Sequence, residues 1–300
     1  MKKLNFKLKC QNVTFIDKFN KKYFLIQKVA VFFLIISVTS SVIITSCKKD
    51  DNDSNTKTYN YRSAKDNSLA ESIFSGIHGQ IDRAAKKDSL KSSDSLSCPT
   101  LTISGTTYPR TFTLDFGTNC LCNDGRIRSG QIISVITGPY LDSLTTITST
   151  FNNYYETINN INYYVTGTHV VKNLGKNAAG HPYYSVNVSN ASISSVNGTI
   201  TWASQRYREF YQGYNSILNP FDDIYLITGS ANGNDINGDP FTVNIINPLM
   251  WQFGCPWIKA GSIEITNPGY PTITVDYGTG NCDNVITVTI NGVTYTVIVN

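Results

Sequence analysis

The chain has 300 residues, of which 41% are hydrophobic and only 15% charged, and its formal net charge is +4. Eight lysines and one acid, Asp17, precede Cys47, which leaves 17 basic against 20 acidic residues from Cys47 onward. A nucleic-acid binder needs a basic face, so a chain that is net acidic beyond Cys47 excludes nucleic acid as its partner.

Residues 1–28 are basic, and residues 29–44, "VAVFFLIISVTSSVII", carry no charge. That apolar run is about 16 residues, short of the roughly 20 that span a bilayer as a helix. Basic, then apolar, then small residues describe a secretory signal. Thr45-Ser46-Cys47 resembles a bacterial lipobox, whose Cys becomes the first mature residue and carries lipid. The expectation is a signal peptide over 1–46, lipidation at Cys47 and a membrane partner through that anchor; an uncleaved membrane anchor is the alternative. Two features depart from the usual pattern: the long basic segment, and Ile44 where Leu is commoner. "KKDDND" after Cys47 is similar to the Lys-plus-acidic tag that sends Bacteroidota lipoproteins to the outer face of the outer membrane. This resemblance implies a surface-exposed outer-membrane lipoprotein.

Residues 47–65 are polar and read as a disordered tether. Leu69, Ile73, Ile77 and Ile81 then recur at helical spacing, with Phe74 and Ala84 beside them. They predict an amphipathic helix over 66–90, with Asp66 or Ser68 as N-cap. Gly76 and Gly79 weaken an isolated helix, so the stripe is expected to dock on the rest of the chain. His78 between them reads as an ordinary surface or core residue.

From residue 98 the pattern changes to period-two alternation, the mark of half-buried strands. Gly recurs at 130, 167, 198, 229, 261 and 292, at intervals of 37, 31, 31, 32 and 31. About 31 residues suit one hairpin per repeat, and Gly beside a long strand marks a turn or bulge. The fold class is therefore mostly β. The expected architecture for 98–300 is a large antiparallel meander of about a dozen strands, open or closed like a barrel, with a sandwich as runner-up. The expected inward set is Phe112, Leu114, Phe116, Ile200, Trp202, Phe241, Val243, Ile245, Ile273, Val275 and Tyr277.

Two segments share one design: "CPTLTISGTTYPRTFTLDFGTNC" and "CPWIKAGSIEITNPGYPTITVDYGTGNC". Each opens on Cys-Pro and ends, after Asp-aromatic-Gly-Thr, on a Cys. In an exported, oxidising setting this proposes disulfides Cys98–Cys120 and Cys255–Cys282, each at the open end of a hairpin. Cys122 is left over and could displace Cys120 as partner. Zinc is a weak alternative, because Cys120-Leu-Cys122 lacks knuckle spacing and no His is near. No metal and no cofactor are expected.

No nucleophile elbow, zinc-protease motif or phosphate loop occurs, and the three histidines stand outside any motif. Asp115 and Asp276 hold matching places in the two copies and could form a glycosidase acid–base pair, although a repeated strand-end Asp explains both. "NDGRIRSG" places Arg126 and Arg128 on one side of a strand, as contacts for a carboxylate or sulfate or as a surface ion pair with Asp124. "DINGD" at 235–239 reads as a hairpin turn rather than a calcium loop. The doublets Tyr154-Tyr155, Tyr163-Tyr164 and Tyr183-Tyr184 put one ring on each face. The candidate ligand contacts are thus Arg126, Arg128, Tyr155, Tyr164 and Tyr183, facing a sugar or a partner protein.

"FTLDFGTNC", "DGRIRSG", "DIYLITGSANGNDINGDPFTVNI" and "VDYGTGNCDNVITVTINGVTYTV" together resemble a group of Bacteroidota lipoproteins of about this length. The resemblance covers most of 98–300 and implies export and fold but no activity. The expectation for function is a lipid-anchored, non-catalytic binding or structural module at the cell envelope. A glycan-active hydrolase using Asp115 and Asp276 is the alternative.

Overall fold

The computed structural model describes residues 61–90, 98–216 and 219–299. The signal peptide, the Cys47 lipidation site and the tether as far as residue 60 lie outside the described residues.

One helix, α1 (Arg62–Leu90), precedes fourteen strands. They begin with β1 (Thr100–Ser104), β2 (Arg110–Asp115), β3 (Cys120–Leu121), β4 (Ile127–Ile136) and β5 (Thr146–Ile158). Next come β6 (Ile161–Lys176), β7 (Pro182–Ser195), β8 (Gly198–Gln212), β9 (Ile224–Asn234) and β10 (Pro240–Gln252). β11 (Ala260–Thr266), β12 (Ile273–Thr279), β13 (Val285–Ile290) and β14 (Val293–Ile298) follow. All belong to one antiparallel meander in which each strand pairs with its neighbour in sequence. β3 continues the line of β2 along the same edge of β4. β1 and β14 are free edges, so the sheet is open, and neither a closed barrel nor a sandwich forms.

The sheet coils around α1. Almost every described helix side chain is buried, including Glu71, Ser75, His78, Asp82 and Lys86 on the face away from the Leu69–Ile73–Ile77–Ile81 stripe. This corrects the expectation of an amphipathic helix with one docked stripe: α1 is the axle of the core. It also starts four residues earlier than expected, so residues 62–65 belong to the helix and not to the tether. Asp66 is not the N-cap; it accepts hydrogen bonds from Arg62 Nε and from the Ile236 N–H. Ser68 shares a hydroxyl–hydroxyl hydrogen bond with Tyr277 at 2.9 Å.

Long strands need bends to coil this tightly. Gly130 and Gly229 lie within β4 and β9 at φ 80° and 114°, where a Cβ would sit 2.2 Å from the carbonyl oxygen of Asn153 and of Gln205 respectively. Asn153 and Asn190 hold φ of 49° and 51° inside β5 and β7, at register shifts in the ladder. Each shift switches which residue parity faces inward, as a bulge does. In β5 the buried set passes from Ile147 and Ser149 to Tyr154 and Glu156. The expected inward set is buried except Ile245, which is half-buried where β10 bulges at residues 246–248.

Gly76 and Gly79 let the sheet approach the helix. A Cβ would lie 2.8 Å from Arg128 Nη2 at the first and 2.5 Å from Trp251 Cη2 at the second. Gly→Ala in a free helix gains about 1 kcal/mol. Gly79→Ala is expected to invert that sign and destabilise by about 1–3 kcal/mol through overpacking against Trp251, read as a lowered midpoint in a thermal melt followed by circular dichroism.

His78 and His169 face each other in the core, ring centroids 5.8 Å apart. Burial drives His169 down to about 3, with the Arg208 guanidinium adding to the shift. Burial likewise holds His78 well below its ordinary value, helped by Arg208, His169 and Lys86. Both rings are neutral when folded, whereas in the unfolded chain each takes a proton near pH ~6.5. Their contribution is therefore intact above pH ~6.5 and lost as pH falls toward the folded values, at about 1.4 kcal/mol per pH unit for each histidine. Denaturant unfolding at pH values stepped below neutrality should show this slope, and His169→Gln should remove about half of the histidine part.

Candidate functional site

Arg126 and Arg128 do not face solvent. Both guanidiniums are buried and turned onto α1 and β5. Arg126 Nη1 donates to Glu156 Oε2 at 2.6 Å, and its Nη2 donates to Ser72 Oγ and to the Pro256 carbonyl. Arg128 donates from Nε to Glu156 Oε1 at 2.9 Å and from Nη1 and Nη2 to both oxygens of Asp124. The carboxylates that this pair was expected to find in a ligand are supplied by the chain itself. The cause is register: β4 presents its even-numbered positions, Ile132 and Ile136 included, to the core.

The two candidate acids are also committed locally. Asp115 accepts from the Gly117 N–H and from Gln131 Nε2, and those bonds, Gln131's first, hold its carboxyl below the usual range. A glycosidase acid needs a raised pKa. Asp276 accepts from the Gly278 N–H at 2.7 Å in the same way. The "DINGD" loop forms the β9–β10 turn, where Asp235 accepts from the N–H groups of Asn237 and Asp239 and from Ser63 Oγ.

The tyrosine doublets split between the faces. Tyr154, Tyr163 and Tyr184 are buried, and Tyr155, Tyr164 and Tyr183 point outward. Tyr155 and Tyr164 stand opposite each other across β5 and β6, with ring centroids 5.0 Å apart. The turn joining these strands is Asn159-Asn160, both at positive φ (50° and 63°), the backbone of a tight two-residue hairpin. The β7–β8 turn, Val196-Asn197, ends beside it. Between the two tips lies an open groove of about 400 Å3, lined by Asn160, Ile161, Asn162, Tyr164, Ser194, Ser195 and Val196. Tyr164 is 49% and Val196 90% exposed, so apolar surface is offered to solvent there. Asn162 uses its carbonyl to accept from Thr157 Oγ1, which leaves its amide NH2 for a ligand. No carboxylate, imidazole, amine or thiol lines the groove, and Tyr164 is its one ionisable side chain.

Tyr183 belongs to a separate cluster. It stacks on Tyr207 at 5.7 Å, next to His181, whose Nδ1 lies 2.5 Å from Glu209 Oε1. His181 also packs on Tyr211 and Tyr214. On β7, Tyr183 and the groove residue Ser194 are eleven positions apart, roughly 36 Å at ordinary strand rise. Outward tyrosines, Tyr164 on β6 and Tyr183 on β7, thus stand near the two ends of the β6–β7 ladder. The His181–Glu209 pair was not foreseen, because only the β7–β8 register brings residues so distant in sequence together.

Both expected cysteine pairs lie at disulfide distance, with Cα separations of 6.1 Å for Cys98–Cys120 and 5.8 Å for Cys255–Cys282. Gly269 sits at the turn of the hairpin that the second pair closes.

The Arg126–Arg128–Glu156 cluster and the groove make opposite demands on mutation. Glu156→Gln leaves buried cations short of their counter-charge and is expected to cost about 3–5 kcal/mol in denaturant unfolding. Tyr164→Ala, at an exposed position, should change stability by under about 1 kcal/mol.

Comparison with models of protein families, with curated proteins and with solved structures gives no match for this chain.

Proposed function

We propose that this chain is a lipid-anchored, exported binding module of the cell envelope, and that the groove beside Tyr164 is where it meets its ligand. The observation that carries the reading is the pairing of an outward Tyr155–Tyr164 face with a groove lined only by amide, hydroxyl and apolar side chains. Such a surface suits a sugar ring, whose C–H face packs on an aromatic ring while its hydroxyls meet Asn and Ser. A neutral glycan is the ligand class that matches this lining. Anchoring rests on the lipobox-like Thr45-Ser46-Cys47, and outer-membrane surface display rests on "KKDDND". Among the described residues no helix is long and apolar enough to cross a membrane.

The test offers the detergent-purified chain to a glycan array and to a broad panel of hydrolase substrates. Binding at around micromolar Kd, about −8 kcal/mol, without turnover is expected. Tyr164→Ala and Tyr155→Ala should each weaken that binding at least about tenfold while the melting midpoint stays put, a loss of about 1.4 kcal/mol. Turnover that disappears in Asp115→Asn or Asp276→Asn would replace the binding module with the hydrolase. Labelled palmitate should enter the wild-type chain in cells and not Cys47→Ala; equal incorporation would remove the anchor.

A further inference from the structure

Cys122 is the free cysteine of the described residues, and it is buried. It stands two positions after Cys120, just past the end of β3, and both sulfurs reach Cys98. Cys122 Sγ lies 3.4 Å from Cys98 Sγ. The three sulfurs all fall within 4.8 Å of one another. Cys98 and Cys120 are half-buried, so the disulfide partners are more accessible than the thiol beneath them. The Cys255–Cys282 pair has no such third sulfur among the described residues.

We propose that Cys98, Cys120 and Cys122 form an internal thiol–disulfide exchange centre, and that Cys120 is the site at which the chain opens to thiol modification. In the exchange, the Cys122 thiolate attacks Cys98 Sγ. The Cys122–Cys98 bond forms as the Cys98–Cys120 bond breaks, and the electron pair leaves on Cys120 sulfur, which takes up the proton that Cys122 gave to solvent. One thiol and one disulfide are present before and after, so no oxidant or reductant is consumed. The edge of the sheet stays stapled, because Cys98 is still tied to the chain entering β4. What moves is the thiol, from a buried to a half-buried position.

The surroundings set the rate. Only the thiolate attacks, and burial holds the Cys122 thiol above its ordinary value. The Arg128 guanidinium opposes that shift, whereas the Asp124 and Glu156 carboxylates reinforce it. The Tyr154 hydroxyl, on which this thiol also acts, is held neutral as well, by burial first. Exchange is therefore slow at neutrality and accelerates with pH.

The full chain, purified in detergent without reductant, is incubated between about pH 7 and about pH 9, quenched in acid, unfolded and capped with a maleimide. Non-reducing peptide mapping then locates the cap and the bridges. The cap is expected to shift from Cys122 toward Cys120 with time, matched by a growing Cys98–Cys122 bridge, about tenfold faster for each pH unit. Cys255–Cys282 should stay intact. A cap confined to Cys122 at every pH overturns the proposal, and so does a cap that spreads to Cys255 or Cys282. As a second arm, Cys120→Ser should fold with a Cys98–Cys122 bridge, and Cys122→Ser should hold Cys98–Cys120 with no thiol to cap. A folded Cys120→Ser chain that keeps two free thiols in air would sink the idea; should that variant not fold, the wild-type map alone decides.

Discussion

A helix carrying charge on every side is enclosed by a sheet, and each of those charges needs a partner inside. Removing an ion from water without compensation costs several kcal/mol. Glu71 is met by Arg206 at 2.6 Å, and Lys86 bridges Asp82 and Asp223 at 2.9 and 2.8 Å. Asp82 also accepts from the hydroxyls of Tyr140 and Tyr225, and the Trp202 indole donates to Asn67. Positions on β8 and β9 are thus chosen by the helix as much as by the sheet. These bonds fix the helix in rotation and in depth, which a greasy axle would leave free. The outer surface, with the Tyr155–Tyr164 face, inherits its geometry from that fixed interior.

Coiling is the second requirement. A flat sheet could not reach around α1, so the long strands are broken by residues at positive φ. Gly serves where the neighbouring strand passes closest, and Asn serves at 153 and 190, where left-handed backbone is tolerated. The Asn153 bend also switches the inward parity of β5, and that switch sends Glu156 inward to Arg126 and Arg128 while leaving Tyr155 outside.

Strand periodicity and turn chemistry made the meander, the inward hydrophobic set and the cysteine pairs legible in the sequence. The outward member of each tyrosine doublet was legible too, since alternation leaves one ring on each side. The polar interior was not. Hydrophobic patterning treats charge as surface, so only the apolar stripe of α1 was expected to dock, and Arg126 and Arg128 read as ligand contacts. A clue was present in β8: Arg206 and Arg208 share the parity of Ile200 and Trp202, which were placed inward. Carrying that parity along the strand puts two guanidiniums in the core and demands acids facing them. The groove needed coordinates, because it forms between the tips of two hairpins.

The position of α1 in the chain bears on how the molecule assembles. Strands pair with their neighbours in sequence, so the meander can zip from short-range contacts, which form quickly. The helix lies before all of them, yet its hydrogen bonds reach from Ser72 to Arg126, 54 residues away, and from Ser68 to Tyr277, 209 residues away. A chain emerging N-terminus first offers the axle long before β12 exists to hold it. Until the later strands arrive, Glu71 and Lys86 lack Arg206 and Asp223 and keep their charges in water. The charges that make the finished interior costly are thus the ones that favour water around the helix before the sheet closes over it.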